Sequence, residues 1–415
     1  MVATAQQLTD LAAGLVERGH DVTIVCGDRG YDDQQLRFPR RERCNGVDVI
    51  RVRSIRANKN SRFRRAANFA SFSIACAFRL AVLPHQDVVV ALTSPPLISW
   101  LASWFTRLKG GRMIFWVMDL NPDEAIAAGW LRHGSLTAKL LGALLHTSMR
   151  RAAKIVALDR FAKERIVAKG ISDEKIEVIP PWAHDDAVRF DVAGREAFRR
   201  THNLADKFVV MYAGNHSPCH PLDTLMAAAL ELGPREDIVF CFAGGGSEQK
   251  RVSDFARDNQ LKNVLCLPYQ PIEKLSALLS AADLHVVVMG EEFVGIVHPS
   301  KIYNLLTIGS SLIYIGPRQS HMGDIIARIN ESERAFHADH GDVDSVARFI
   351  LGSADEHRAI NPLATANGSV AASLAREFSK SVLLPRFVAH VEALGVNATE
   401  GKLEPAATKL QSAVR

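Results

Sequence analysis

Lys301 follows His298, Pro299 and Ser300 at what reads as a helix start. The short apolar run Leu284–Gly290 leads in, with Gly295 in the loop between. Backbone N–H groups at such a helix start face an anion, and a lysine beside them adds a mobile positive charge. A plain β-α-β unit is the structural alternative for this segment. Asp119 closes the run Met113–Asp119, with Asp123 and Glu124 one turn later. Ligands of α/β sheets bind beyond strand carboxyl ends, and a carboxylate there can orient or deprotonate a hydroxyl. Its structural alternative is to cap the following helix. Thr93 and Ser94 end another strand-like run before Pro95 and Pro96 and would line the same side, a structural turn being the alternative.

The elements that must position these groups alternate regularly. Ala3–Gly19 has apolar residues at helical spacing, and strand-like runs follow at 21–27, 47–53, 87–94, 113–119, 154–159 and 176–182. The rhythm restarts at 208–215, 238–245, 264–269, 284–290 and 311–317. Strands alternating with helices predict an α/β protein of parallel, doubly wound sheets. The stretch from Pro180 to Lys207 is polar and opens on two prolines, which marks a break. We therefore expect a Rossmann-like domain at 1–182, a linker at 183–207 and a second Rossmann-like domain at 208–380. A closing helix at 381–395 and a disordered tail at 396–415 complete the division. A doubly wound domain opens on a strand whose loop feeds the first helix. Here the chain starts inside that helix, which we read as an upstream truncation, an expendable edge strand being the other reading.

Composition sets the class. An apolar content of 47% with 23% charged residues belongs to a globular protein. The six cysteines have no CxxC spacing, so they read as thiols in a reducing compartment, neither a disulfide frame nor a zinc site. No signal-peptide pattern and no apolar run of about eighteen residues is present, which predicts a cytoplasmic chain. Arginines and lysines crowd between Arg51 and Arg65, ahead of the small, apolar stretch Ala66–Leu83. Segment 51–83 is thus a candidate for peripheral docking on an anionic membrane surface, a solvated loop and core helix being the alternative. Sparse aromatics there argue against nucleic acid.

Seven segments, in order, carry a resemblance: AQQLTDLAAGLVERGHDVTIVCG, LTSPPLISW, MDLNPDEA, VIPPWAHDD, VVMYAGNHSPCHPLDTL, FCFAGGGSE and VHPSKIYNLLTIGSSLIYIGP. The chain resembles the GT-B retaining glycosyltransferases of family four, in particular the bacterial cell-surface polysaccharide group that includes N-acetylfucosamine-type transferases. The resemblance implies two Rossmann-like domains facing a cleft, with a nucleotide-sugar donor, most simply UDP-linked. It implies a lipid-linked or growing glycan acceptor and retention of anomeric configuration. The diphosphate leaving group then needs stabilising charge. Backbone N–H groups at Gly214, Asn215 and His216 and the Lys301 side chain are the candidates. Many relatives place an arginine and a lysine after the first glycine of the second domain, where this chain has Ser217, Pro218, Cys219 and His220. The burden moves to Lys301, His216 and His220, since a histidine beside a diphosphate can protonate. Gly244 and Gly245 would let the nucleotide approach the backbone, and Tyr269 falls where uracil contacts lie. Asn304 stands in place of a ribose-binding glutamate, and Met118 in place of a histidine, which leaves Asp119 and Glu124 on the acceptor side. No cofactor is expected. Pro218 between His216 and His220 argues against a metal-binding helix, so no metal is expected either. A sugar-nucleotide 2-epimerase and a non-catalytic sugar-nucleotide-binding subunit are the alternatives.

Overall fold

The computed structural model describes residues 3–29, 37–54, 62–184, 187–329, 335–359 and 369–400. It divides into two compact units, Met1–Pro180 with Leu383–Arg415, and Pro181–Val382.

The first unit holds two sheets. Strands β1 (Thr23–Gly27), β2 (Arg41–Cys44) and β3 (Val47–Val52) form one, in the order β1-β3-β2. β1 and β3 are parallel, whereas β2 runs antiparallel to β3. Asn45 and Gly46 join the latter pair with φ of 49° and 78°. That is the backbone of a two-residue hairpin turn, whose twist suits the strands it connects. β2 reads RERC and is largely exposed, so no apolar pattern announces it. The second sheet is parallel, in the order β4 (Val88–Ala91), β5 (Arg112–Trp116), β6 (Lys154–Ala157), β7 (Ile176–Val178). No ladder joins β1 to β4 among the described residues, so the single doubly wound sheet expected here is split. The helix Lys380–Glu400 returns to this unit from Leu383 onward. Its buried Phe387 meets Trp116 of β5 edge to face, centroids 4.4 Å apart. The helix thus runs past the expected closing segment, and residues 401–415 of the expected tail lie outside the described residues. So do residues 55–61 of the basic segment.

The second unit is one six-stranded parallel sheet of β8 (Phe208–Asn215), β9 (Ile238–Gly245), β10 (Val264–Leu267), β11 (Leu284–Val288), β12 (Ser311–Ile315) and β13 (Ala335–Ala338). The order is β10-β9-β8-β11-β12-β13. Both faces are covered, and side chains alternate between them. Val210 and Tyr212 pack with Phe240 and Phe242 in one core, while Val209 and Met211 pack with Cys241 and Ala243 in the other. Strand order reverses between β8 and β11, which pair only at Leu284↔Val210 and His285↔Met211. The ladder between them stops there, and doubly wound sheets take ligands beyond the strand ends at such a reversal.

The stretch expected as a linker belongs to this unit. Its helix Val192–Thr201 packs on the helix Leu275–Ser280. Arg195 and Arg199 both pair with Asp283, whose side chain is 2% exposed and also accepts the Val209 N–H at 2.7 Å. The apolar content of this stretch is low, so its attachment through ion pairs gave no hydrophobic signal. Asp283→Ala leaves two arginines unpaired in a dry site, and removing one partner of a buried pair costs about 3–5 kcal/mol. Urea unfolding of the full chain should show a loss of that size for the second unit.

Candidate functional site

The second unit gathers most of the expected donor residues at the carboxyl ends of β8 and β9. Gly214 has φ 148° and Gly244 φ 141°. A Cβ on Gly244 would lie 1.9 Å from the Gly214 carbonyl oxygen, and one on Gly246 2.2 Å from that of His216. Side chains are excluded there, and backbone forms the wall. Lys301 opens the helix Lys301–Ile308 and turns into this wall. Its Nζ sits 3.7 Å from the centroid of the Tyr212 ring and 3.3 Å from where a Gly214 Cβ would be. The ammonium is buried and has no hydrogen-bond partner. Burial alone brings its pKa down to about 7. An ammonium over an aromatic face, buried and without a hydrogen-bond partner among the described residues, is suited to receive an anion.

Two histidines adjoin it. His216 is fully buried, and neither ring nitrogen has a well-aligned hydrogen-bond partner. Its backbone N–H donates to the Gly245 carbonyl at 2.8 Å. His220 Nδ1 donates to the Val288 carbonyl at 2.8 Å, at the end of β11. Burial first, then the nearby Lys301 charge, lowers both pKa values, that of His220 to about 3. Both side chains are therefore neutral here, while the expectation concerns their charge beside a diphosphate. With its Nδ1 proton committed to Val288, His220 presents only an accepting Nε2.

The remaining donor-side residues are spread around this centre. Tyr269 is 56% exposed, its hydroxyl donates to the Gly245 carbonyl at 3.1 Å, and its ring edge covers Gly245. Asn215 turns its carbonyl to the Tyr212 hydroxyl at 2.7 Å. Ser300 precedes the helix without a side-chain cap bond, and its N–H donates to the His298 carbonyl at 2.8 Å. Gly295, with φ 68°, serves the turn after Glu291–Phe293. Asn304 Oδ1 accepts the His184 N–H at 3.1 Å, so that oxygen holds the entry segment of the unit in place. Sequence reasoning missed Tyr212, which carries the Lys301 ammonium on its ring, because a tyrosine within a buried strand reads as core.

In the first unit the residues after β5 come together. Asp119 N–H donates to Thr93 Oγ1 at 3.3 Å, and Glu124 Oε2 accepts the Asn121 amide at 3.0 Å. Ser94 beside them is exposed. The helix Asp123–Ala127 takes Pro122 at its N-cap without a side-chain bond, so Asp119 does not cap it. Burial first, and the Glu124 charge second, raise the Asp119 pKa to about 7. Burial also raises that of Glu124, against its bond from Asn121. A carboxyl poised near neutrality is suited to take a proton from a hydroxyl.

Residues 3–182 match the family described as Glycosyl transferase 4-like domain, and residues 194–298 match Glycosyl transferases group 1. The putative colanic acid biosynthesis glycosyl transferase WcaI of Escherichia coli K12 is 24% identical over 335 residues, covering 76% of this chain and 80% of that protein. The probable glycosyltransferase WbjE of Pseudomonas aeruginosa is 23% identical over 309 residues, covering 74% and 75%. Among solved structures, Anabaena HepE in complex with UDP and glucose superposes with a TM-score of 0.67 at 15% identity, over 94% of this chain and 95% of that one. WaaG, a glycosyltransferase involved in lipopolysaccharide biosynthesis, gives 0.65 at 15% identity over 93% and 95%. The two matched segments, one in each unit, make this chain a glycosyltransferase of the GT-B fold, with a glycosyl transferase 4-like domain followed by a group 1 domain.

Proposed function

We propose that this enzyme transfers a sugar, with retention, from a UDP-linked donor to a lipid-linked or growing glycan acceptor during cell-surface polysaccharide synthesis. One observation carries the donor half: a buried, unpartnered Lys301 ammonium beside Gly214, at the point where strand order reverses. A diphosphate there would exchange an aromatic face for charged oxygens, and charge developing on the leaving group would be met without reorganisation. Tyr269 over Gly245 would stack on the base, and Asp119 in the first unit would take the acceptor proton. The name of the relative WcaI, a putative colanic acid biosynthesis glycosyl transferase, supports the pathway, and HepE, solved with UDP and glucose, supports the donor class. A lipid-linked acceptor would bring the enzyme to the inner face of the cytoplasmic membrane.

Titration calorimetry with UDP, GDP and dTDP sugars tests the reading. UDP-sugar binding is expected to take up close to one proton above pH 7, because the free Lys301 is then neutral and the diphosphate restores its charge. Heats measured in buffers of different ionisation enthalpy report that uptake. Affinity should stay level below pH 7 and fall about tenfold per pH unit above it. Absence of heat with every nucleotide sugar would overturn the donor site.

A further inference from the structure

We propose that Tyr212 is a positioning residue of the donor site: its ring is a placeholder that holds the Lys301 ammonium while the site is empty and gives it up to the diphosphate. The inference rests on the donor reading above and adds how the empty site keeps its cation ready.

Tyr212 lies in β8, directly opposite Phe242 of β9. It is buried, and its ring is held from several sides. The His216 ring meets it edge to face, with centroids 5.1 Å apart and planes at 75°. The Phe242 ring lies 6.5 Å away, tilted by 42°. The hydroxyl donates to the Asn215 carbonyl at 2.7 Å, which ties the tip of the ring to the last residue of the same strand. A ring gripped at its body and its tip keeps one face in place, and Lys301 Nζ sits 3.7 Å from the centroid of that face. The negative face of an aromatic ring attracts an ammonium, most strongly where water is excluded.

Among the described residues no hydrogen-bond acceptor serves this ammonium. Burial is the one cause that moves its pKa, so no carboxylate supports its charge. Lys301 is also the only charged residue of its own helix. The titratable groups that feel it are His216 and His220 from the loop after β8 and His285 from β11, and burial keeps all three neutral. Cys219 and Tyr269 adjoin Tyr212 itself. In such surroundings the amine would give up its proton, and the ring face opposes that loss. A carboxylate in place of the ring would hold the ammonium too, but it would repel the incoming diphosphate. The ring attracts the cation without carrying a charge. Phosphate oxygens, which form charge-assisted hydrogen bonds, can therefore displace it.

Calorimetric titration of the full chain with UDP, from about pH 6 to about pH 9, reads the exchange. Wild-type affinity should be level below a break near pH 7 and fall above it. Tyr212→Phe keeps the face and should keep the break. Phenylalanines carrying one, two and five ring fluorines at this position keep nearly the same size, so the fold is retained while the negative face is removed in steps. Five fluorines should move the break down by about one pH unit. Below the break, binding should tighten about tenfold, because UDP no longer competes with the ring. Affinity above about pH 8 should stay unchanged, since the free amine there is neutral in every variant. A break that stays fixed across the series overturns the proposal and leaves Tyr212 a core residue. A break that falls without tighter binding below it also overturns it, since the ring then keeps the ammonium in the complex. No heat with UDP in the wild type would remove the donor reading, and this proposal with it.

Discussion

Replacing Lys301 with methionine should lower kcat/KM about 10²- to 10³-fold, the usual loss when one preorganised stabiliser of leaving-group charge is removed. The same substitution should make the protein more stable. Wild-type Lys301 is buried without a partner, and its pKa falls from 10.5 in the open to about 7 when folded. At neutral pH that depression represents a cost on the order of a few kcal/mol, which methionine, with a similar stem and no charge, does not incur. The sign follows from proton counts. Between pH 7 and 10.5 the unfolded chain holds the lysine proton and the folded chain does not, so wild-type stability rises with pH across that window. The variant should be flat there. Denaturant unfolding at several pH values, beside kinetics with a UDP-sugar, checks both halves. Lost activity with lost stability would instead mean a structural lysine, and unchanged turnover would remove it from the mechanism.

Asp119→Asn should reduce turnover about a thousandfold, within the range typical of general bases. With Asp119 near pKa 7, the wild-type rate should decline below pH 7 as the carboxylate protonates. Free Lys301 titrates in the same region in the opposite direction. The profile of kcat/KM is therefore expected to be a narrow bell centred near neutrality. The profile of kcat should keep only the acidic limb, because bound donor holds Lys301 charged. The residual rate of the Asn variant should show no acidic limb. Stability gives an independent sign. The folded carboxyl keeps its proton between pH 3.8 and 7 where the unfolded one has lost it, so wild-type stability falls as pH rises through that range. Asparagine removes that slope. A variant with wild-type turnover would take Asp119 out of the reaction.

The second unit was legible in the sequence because both faces of its sheet are buried. Strands such as β8 and β11 then read as continuous apolar runs, and Gly214, Gly244 and Lys301 announce themselves at their ends. Segments held by other forces were not legible. β2 is a polar strand fixed by the Asn45-Gly46 turn, and the helix Val192–Thr201 is fastened by arginines on Asp283. At the site, residue types were readable and their charge states were not. His216 and His220 lie near a cation in a dry wall, and only the fold shows that this keeps them neutral. Asn304 presented the same difficulty, since a spacing argument cannot foresee that its oxygen holds the His184 N–H.

The brief pairing of β8 with β11 bears on how donor preference can change. Two residue pairs tie these strands at one end, and the crevice begins where the tie stops. The opening is thus a property of the sheet's own twist and register, maintained by the buried cores on either face. Residues around its mouth, such as the half-exposed Tyr269, contribute little to those cores. Substitutions there can exchange one base or sugar for another without touching the packing that keeps the crevice open. Under the proposed function, the fold in this way separates inheritance of the phosphate seat from drift in what the phosphate carries.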